Sequence, residues 1–249
     1  MIFPYHELLS KYGIKPKGII HIGAHHAEEG NEYFKFGTNR ILWIEGNPEL
    51  IPLIKKNIEA WEGNILINAL LADVEENEVQ FRVTNSTMSS SILNLGTHKN
   101  QYPEIKVEKE LLINTQRFDK LVERQNINMD DYDFVNIDIQ GAELLALKGF
   151  GNYLHKINYI YTEINIDYLY RGCPLLDDID SFLLMNGFKR VELSLMYKSW
   201  GDAFYIRSQL TKDEVAKQIN ESKIIIRKFR REKWIKKILN VFTKIRRKF

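Results

Sequence analysis

Short apolar segments rich in β-branched residues alternate along the chain with segments that have the length and spacing of helices. Seven apolar segments are predicted to be strands: 18–23, 40–45, 64–72, 132–139, 157–164, 187–195 and 202–208. Helices are predicted between most of them, for example at 28–36 and 48–61. This alternation is typical of βαβ units, in which helices cover both faces of a mostly parallel sheet.

The last two predicted strands depart from this pattern because no helix separates them. Trp200 and Gly201 are predicted to form a short turn between 187–195 and 202–208, which indicates an antiparallel hairpin that closes the sheet. Two further segments, 77–85 and 105–115, could form extra strands. The loop between these segments is rich in Ser, Thr, Asn and Gly, so it is predicted to be irregular.

The C-terminal segment has the spacing of an amphipathic helix. Beyond Trp234, apolar residues recur at intervals of three and four, and Lys and Arg occupy the other faces. The apolar positions are Ile235, Ile238, Phe242, Ile245 and Phe249. We therefore expect a domain at residues 1–210, followed by a basic helical tail at 211–249.

Composition and charge narrow the class of protein. The chain has 249 residues, 44% of them hydrophobic, which is enough for one substantial core. Residues 223–249 contain twelve Lys or Arg and one acid, Glu232, so residues 1–222 carry a net charge of −9. The basic tail could pack on this acidic domain, lie on an anionic membrane surface or contact a second copy of the chain. Nucleic acid is a weaker candidate, because no recognised binding module is present.

Cellular location is inferred from the same composition. Cys173 is the only cysteine, so the chain forms no disulfide with itself, and a reducing compartment is expected. No apolar run reaches the roughly 18 residues that a membrane-spanning helix needs. We expect a cytoplasmic protein that its tail could bring to a membrane surface.

The first candidate for chemistry is the turn after the first predicted strand, in GIIHIGAHHAEEG (18–30). The three glycine positions of a dinucleotide-binding turn are here His21, Gly23 and His26, which disfavours a nicotinamide-dependent oxidoreductase. A single-glycine turn suits a cofactor without a pyrophosphate, such as S-adenosylmethionine. Glu45 ends the next strand, 22 residues beyond Gly23, where a carboxylate can accept hydrogen bonds from both ribose hydroxyls.

Several segments together resemble the FkbM family of S-adenosylmethionine-dependent methyltransferases over about residues 16–208. They are IIHIGAHHAEE, LWIEGNPEL, SSSIL, NTQRFDKL, DFVNIDIQGAELLALKG, YTEI and GDAFYIR. The resemblance implies a class I Rossmann-like fold and methyl transfer to an oxygen nucleophile, with a small hydroxylated metabolite, sugar or glycan as acceptor. The chain has His21 and Ala27 where many members have Asp and Gly. A non-catalytic module that binds S-adenosylmethionine is the alternative.

The candidate site residues follow from the turn, the strand ends and the resemblance. The predicted cofactor-binding residues are Gly23, Ala24, His25, Glu45, Gly46, Asn47, Ser90, Ser91 and Asp138. A hydroxyl acceptor has to lose a proton, so a carboxylate or imidazole is expected as general base. Asp138 is the first candidate, because open α/β sheets bind ligands at the carboxyl ends of their strands. Glu163 and His98 are the others. No metal site is predicted, because no tight cluster of acids and no Cys/His spacing is evident.

Overall fold

The computed structural model describes residues 3–195 and 199–246, with side chains up to residue 239. The strands are β1 (Ile19–Ile22), β2 (Ile41–Glu45), β3 (Ile65–Asn68), β4 (Leu70–Leu71), β5 (Val79–Thr84), β6 (Val107–Ile113), β7 (Thr115–Gln116), β8 (Phe134–Ile137), β9 (Tyr159–Asn165), β10 (Phe188–Ser194) and β11 (Trp200–Arg207). The helices are α1 (Tyr5–Tyr12), α2 (Gly30–Lys35), α3 (Ile51–Ile58), α4 (His98–Gln101), α5 (Phe118–Gln125), α6 (Glu143–Gly149), α7 (Leu176–Met185) and α8 (Lys212–Arg246).

A seven-stranded sheet organises the molecule, with the strand order β10-β11-β9-β8-β1-β2-β3. All neighbouring strands from β9 to β3 are parallel, whereas β11 is antiparallel to both β9 and β10. The prediction of a mostly parallel sheet with an antiparallel closing pair is therefore confirmed. The chain order reverses between β1 and β8, and ligands bind at such a switch point in open α/β sheets.

The central strands are buried because helices cover both faces of the sheet. On one face, Val135 and Ile137 join a large apolar cluster that includes residues of α5, α6 and α7. On the other face, Trp43 and Phe134 pack with residues of α1, α2 and α3. Burial on both faces explains why the strand sequences are continuously apolar.

Three features of the sheets differ from the prediction or refine it. The predicted strand 64–72 is divided into β3 and β4, and β4 pairs with β7 outside the main sheet. Segments 77–85 and 105–115 contain β5 and β6, which form a separate antiparallel pair. The prediction of a turn at Trp200 and Gly201 is wrong, since both residues lie within β11. A Cβ atom on Gly201 would come within 1.8 Å of the Ser194 carbonyl oxygen, so glycine permits the close approach of β10.

The C-terminal helix α8 begins at Lys212, before the basic segment 223–249 starts. The first half of α8 packs on the domain: Ser222 and Ile226 are buried, and the Ser222 hydroxyl donates a hydrogen bond to the buried Asp180. In the second half, Trp234 and Leu239 are 63% and 58% exposed. The predicted apolar positions Phe242 and Ile245 lie where side chains are not described, and Phe249 lies outside the described residues. No helix in the described part of the chain is long and apolar enough to cross a membrane.

Candidate active site

Glu45 occupies the carboxyl end of β2, where the sequence predicts a ribose-binding carboxylate. Its side chain is only 7% exposed, and backbone N–H groups hold both of its oxygens. Oε2 accepts a hydrogen bond from His25 N at 2.9 Å, and Oε1 accepts one from Asn47 N at 2.7 Å. Burial raises the pKa of Glu45, while these two bonds limit the rise. A carboxylate has about four acceptor positions, so each oxygen retains capacity for a further donor.

The turn after β1 has the backbone conformation that brings it to Glu45. Gly23 has a φ of 86°, and a Cβ atom there would lie 2.0 Å from the carbonyl oxygen of Asp138. Glycine is therefore required for the close approach of the segments that follow β1 and β8. His25 also has a left-handed φ of 46°, although it is not glycine. This local geometry directs its N–H toward the Glu45 carboxylate.

Two cavities meet at this edge of the sheet. The smaller cavity, of about 70 Å³, lies beside Glu45, and its apolar walls include Ile44, Leu70 and Phe81. The larger cavity, of about 510 Å³, lies within the range of about 300–1,000 Å³ that is usual for small-molecule sites. Asp138 lines both cavities. A group bound in either one can therefore approach the same carboxylate.

The acids nearest Asp138 form a compact group at the carboxyl ends of β8 and β9. One oxygen each of Asp138, Glu143 and Glu163 lies within 4.8 Å of the other two. Gln140 Nε2 donates a hydrogen bond to Asp138 Oδ1 at 2.7 Å and another to Glu163 Oε2 at 2.9 Å. Tyr170 fixes this amide by donating its hydroxyl to Gln140 Oε1 at 2.7 Å. The sequence did not indicate this group of three acids. In the structure, the side-chain amide of Gln140 bridges two of them, Asp138 and Glu163.

The protonation of this group follows from burial and mutual repulsion. Asp138 is accessible to water from the cavity, yet the surrounding protein, and secondarily Asp202, raise its pKa to about 6. Burial also raises the pKa of Glu163 well above its ordinary value, and the negative charge of Asp138 raises it further. At neutral pH, Asp138 is therefore mostly ionised, whereas the raised pKa of Glu163 favours its protonated form.

Glu143 starts α6 and is fully buried beneath these carboxylates. Its Oε1 accepts hydrogen bonds from Ile139 N at 3.0 Å and Gly141 N at 2.9 Å. Its Oε2 has no hydrogen-bond partner among the described residues. Burial and the neighbouring Asp138 raise the pKa of Glu143 to about 7. The side chain thus holds the turn between β8 and α6 in place.

His98 lies in the wall of the larger cavity rather than in a solvated loop. It is the first residue of α4, only 5% exposed, and its ring packs between Tyr102 and Tyr170. Burial lowers the pKa of His98, which keeps the imidazole neutral at neutral pH. Its Nδ1 is buried without a partner among the residues that the structure describes. His98 is thus positioned as a neutral wall residue.

Most of the predicted site residues come together around the two cavities. Gly23, His25, Glu45, Gly46, Asn47, Ser90 and Asp138 line the smaller cavity. Glu163 and His98 line the larger one. Ala24 and Ser91 belong to neither lining: Ala24 is packed in the core, and the Ser91 hydroxyl donates to the Gln140 carbonyl oxygen at 2.8 Å. Ser91 therefore supports the backbone of the residue that bridges the acids.

Other side chains at the site were not singled out from the sequence. Gln140 lies inside NIDIQGAE and Asp202 inside GDAFYIR, two of the segments that carry the family resemblance. Tyr102 and Glu104 reach the larger cavity from a segment that carries no recognisable signal, and Trp200, which precedes GDAFYIR, was predicted only as a turn residue. Only the folded chain brings them to the carboxyl ends of β8 and β9.

The sequence matches a known protein family and two characterised relatives. The model of the methyltransferase FkbM domain matches residues 21–190. The 2-O-methyltransferase NoeI of Sinorhizobium fredii is 24% identical over 184 residues, covering 69% of this chain and 74% of NoeI. The hexuronic acid methyltransferase AglP of Haloferax volcanii is 24% identical over 159 residues, covering 59% of this chain and 61% of AglP.

Solved structures with a similar arrangement have low sequence identity to this chain. One is a protein of the NADB-Rossmann superfamily from Streptococcus agalactiae, with 12% identity and a TM-score of 0.49 over 96% of this chain and 84% of that chain. Another is a putative tRNA methyltransferase from Streptococcus pneumoniae in complex with S-adenosyl-L-methionine. It has 15% identity and a TM-score of 0.47 over 93% of this chain and 88% of that chain.

Proposed function

Because the chain belongs to the FkbM methyltransferase family, we propose that it methylates a hydroxyl oxygen of a sugar or glycan. It is a methyltransferase, and S-adenosylmethionine is its cofactor. The descriptions of NoeI and AglP as a 2-O-methyltransferase and a hexuronic acid methyltransferase support a sugar acceptor. The observation that carries the proposal is the position of Asp138, whose carboxylate lines both cavities.

The residues around the smaller cavity have the chemistry that the adenosine part of the cofactor requires. Glu45 retains acceptor capacity for the ribose hydroxyls, and the apolar wall formed by Leu70 and Phe81 suits the adenine ring. Gly23 and His25 line both cavities, so the turn after β1 would hold the methionine end where the cavities meet. When bound, S-adenosylmethionine supplies an electrophilic methyl group on a sulfonium sulfur.

The chemical role of the chain is to orient the acceptor and to remove its proton. Bound S-adenosylmethionine would supply the methyl group to the acceptor oxygen, and the electron pair of the carbon–sulfur bond would stay on sulfur. We propose that Asp138 accepts the proton that leaves the hydroxyl, since its pKa of about 6 leaves it ionised at neutral pH. Gln140 and Tyr170 position its carboxylate. Glu163 and His98 remain the other candidates for the base.

Incubation with trideuteromethyl-labelled S-adenosylmethionine and a panel of sugars and glycans tests the proposal. Mass spectrometry should find an acceptor that gains one labelled methyl group, and fragmentation should place that group on a hydroxyl oxygen. Labelling of nitrogen or carbon would contradict the proposed reaction. If the demethylated cofactor binds while no acceptor in a broad panel gains the label, the alternative of a non-catalytic binding module is favoured.

The exposed end of α8 supports a separate proposal about location. We propose that this end lies on an anionic membrane surface, because exposed Trp234, Ile235 and Leu239 are interspersed with Lys and Arg. Apolar side chains at the interface and about 1 kcal/mol per basic residue near anionic lipid could hold the protein reversibly. A cytoplasmic location, expected from the composition, stays a prediction.

Vesicle binding by the full-length chain tests this location. The protein should co-sediment with phosphatidylserine-containing vesicles at low salt, and less so as salt screens the charges. Trp234→Glu should weaken binding, whereas Ile224→Glu, at an exposed position in the first half of the same helix, should not. Equal binding by both variants would contradict the assignment. If the chain ignores vesicles and Trp234→Glu instead dissociates a stable dimer, the helix is an oligomer contact.

A further inference from the structure

The larger cavity has a strongly acidic lining. Six acidic side chains line it: Glu28, Glu29, Glu104, Asp138, Glu163 and Asp202. The pKa of one of them, Glu163, is raised well above its ordinary value. None of its described lining residues is Lys or Arg. Resting on the proposed function, we infer that the acceptor is a hydroxylated sugar that carries a protonated amine.

These carboxylates occupy different walls, so their negative charge surrounds the bound group. Glu28 and Glu29 immediately precede α2, and Glu104 follows α4 on another segment of the chain. Asp202 of β11 lies directly opposite Glu163 of β9 in the sheet register. A sugar in this space therefore faces acidic side chains from at least three directions.

Three histidines line the cavity: His25 contacts Glu28 Oε1 through Nδ1 at 2.8 Å, and the other two, His21 and His98, add no positive charge. Burial lowers the pKa of both His21 and His98, so both rings are neutral at neutral pH. A carboxylate or phosphate on the acceptor would be desolvated next to like charges, which is strongly unfavourable. A protonated amine in the same place gains charge-assisted hydrogen bonds.

Aromatic side chains complete the walls on which such a sugar would pack. Tyr102, Tyr161 and Trp200 line the larger cavity, and the Trp200 indole donates to the Tyr102 hydroxyl at 3.1 Å. Aromatic faces bind the apolar faces of sugar rings, and they also attract cations. Glu104 is two residues beyond Tyr102 in the chain, which places an aromatic ring and a carboxylate in one wall.

The charge of the amine also determines which atom can be methylated. A protonated amine has no lone pair for the methyl carbon, so the acidic walls would keep the nitrogen unreactive while they hold it. The hydroxyl beside Asp138 then remains the nucleophile. The inferred acceptor differs in sign of charge from a hexuronic acid, the sugar named in the description of AglP.

Binding of matched oligosaccharides tests the inference. Tetramers of glucosamine and N-acetylglucosamine differ in whether each C2 nitrogen is a protonatable amine or a neutral amide, and a galacturonic acid tetramer supplies a negatively charged sugar. Calorimetry with saturating demethylated cofactor measures each affinity. The glucosamine tetramer should bind roughly tenfold or more tightly than the N-acetylated one, as expected for a charge-assisted hydrogen bond. Salt should weaken binding of the glucosamine tetramer and leave binding of the N-acetylated tetramer unchanged. Equal affinities, tighter binding of the galacturonate or no binding of the glucosamine tetramer would overturn the inference.

Two exposed glutamates provide a matched pair of variants. Glu104→Gln removes a charge from the cavity wall, whereas Glu108→Gln removes one from the exposed strand β6. The first should weaken binding of the glucosamine tetramer severalfold and leave the N-acetylated tetramer unchanged; the second should change neither. Equal effects of both variants would contradict a role for the cavity charge.

The same experiments separate this inference from the proposed function. Methyl transfer to neutral sugars without preference for amines would support O-methylation and overturn the inferred charge of the acceptor. Tight, salt-sensitive binding of the amine without methyl transfer would support the inferred charge and contradict the proposed reaction.

Discussion

The two cavities meet at Asp138, but the chain builds them in different ways. In the smaller cavity, backbone N–H groups of neighbouring turns hold one carboxylate, Glu45. In the larger cavity, carboxylates from distant segments lie close together and are held by side chains such as Gln140 and Tyr161. The first arrangement suits a cofactor with fixed hydroxyl positions. The second raises the pKa of its acids, which is what proton removal near neutral pH requires.

The largest effect is expected from a substitution of Asp138, beside the larger cavity in which the acceptor is proposed to bind. Asp138→Asn preserves the shape of the side chain but removes the base, so turnover should fall by about two to four orders of magnitude. Affinity for the demethylated cofactor should change far less. Turnover and calorimetric binding measured on the same preparation check both expectations.

Asp131→Asn is the matched control, because Asp131 lies just before the same strand at the opposite edge of the sheet. It should leave turnover nearly unchanged. Near-normal turnover of Asp138→Asn at saturating acceptor would move the base to Glu163 or His98, or would show that the reaction needs none.

A substitution in the smaller cavity should instead lower the affinity for the cofactor. Glu45→Ala removes the carboxylate proposed to bind the ribose, and affinity for S-adenosylmethionine should weaken by about 1–3 kcal/mol. Glu49→Ala, four residues further and exposed, serves as the control and should have no effect. Calorimetry on both variants makes the comparison. Unchanged affinity in a folded Glu45→Ala protein would remove Glu45 from the cofactor site.

A smaller effect, on stability, is expected from a substitution of Glu143, which is buried beneath Asp138 and Glu163. The pKa of Glu143 is raised on folding, so its contribution to the free energy of unfolding is full below about pH 4.5 and is lost as pH rises through about 7. Glu143→Gln retains the acceptor oxygen for Ile139 N and Gly141 N and removes the charge. At pH 8 it should raise the free energy of unfolding by about 1 kcal/mol.

Denaturant unfolding at pH 5 and pH 8 measures this effect. The gain should be larger at pH 8, since Glu143 is already protonated at pH 5. Glu123→Gln on the exposed surface of α5 should change neither value. A loss of stability at pH 8 would show that the unpartnered oxygen of Glu143 has a role that an amide cannot replace.

The sequence predicted the smaller cavity far better than the larger one. Gly23 and Glu45 could be located because a turn and a strand end follow directly from local periodicity. The seven strands of the sheet were found for the same reason. Splitting of 64–72 into β3 and β4 was missed, because the pairing of β4 with β7 depends on a distant segment.

The acidic surroundings of Asp138 could not be derived in this way. Glu104 and Asp202 reach the larger cavity through loop conformation and antiparallel pairing, which local patterns do not specify. Gln140 has a left-handed φ of 57°, and this conformation accompanies its bridge between two carboxylates. Such a backbone state in a residue other than glycine is stabilised by tertiary contacts rather than by sequence preference.

The pH dependence of a single turnover tests the central claim most directly, because it reports the protonation of Asp138 without product release. With saturating cofactor and acceptor, the rate should rise with pH through about 6 and then level, since only the ionised carboxylate accepts the hydroxyl proton. Asp138→Asn should retain a low rate that lacks this rise. A flat wild-type profile between pH 5 and 8, or the same rise in the variant, would contradict the assignment of Asp138 as the base.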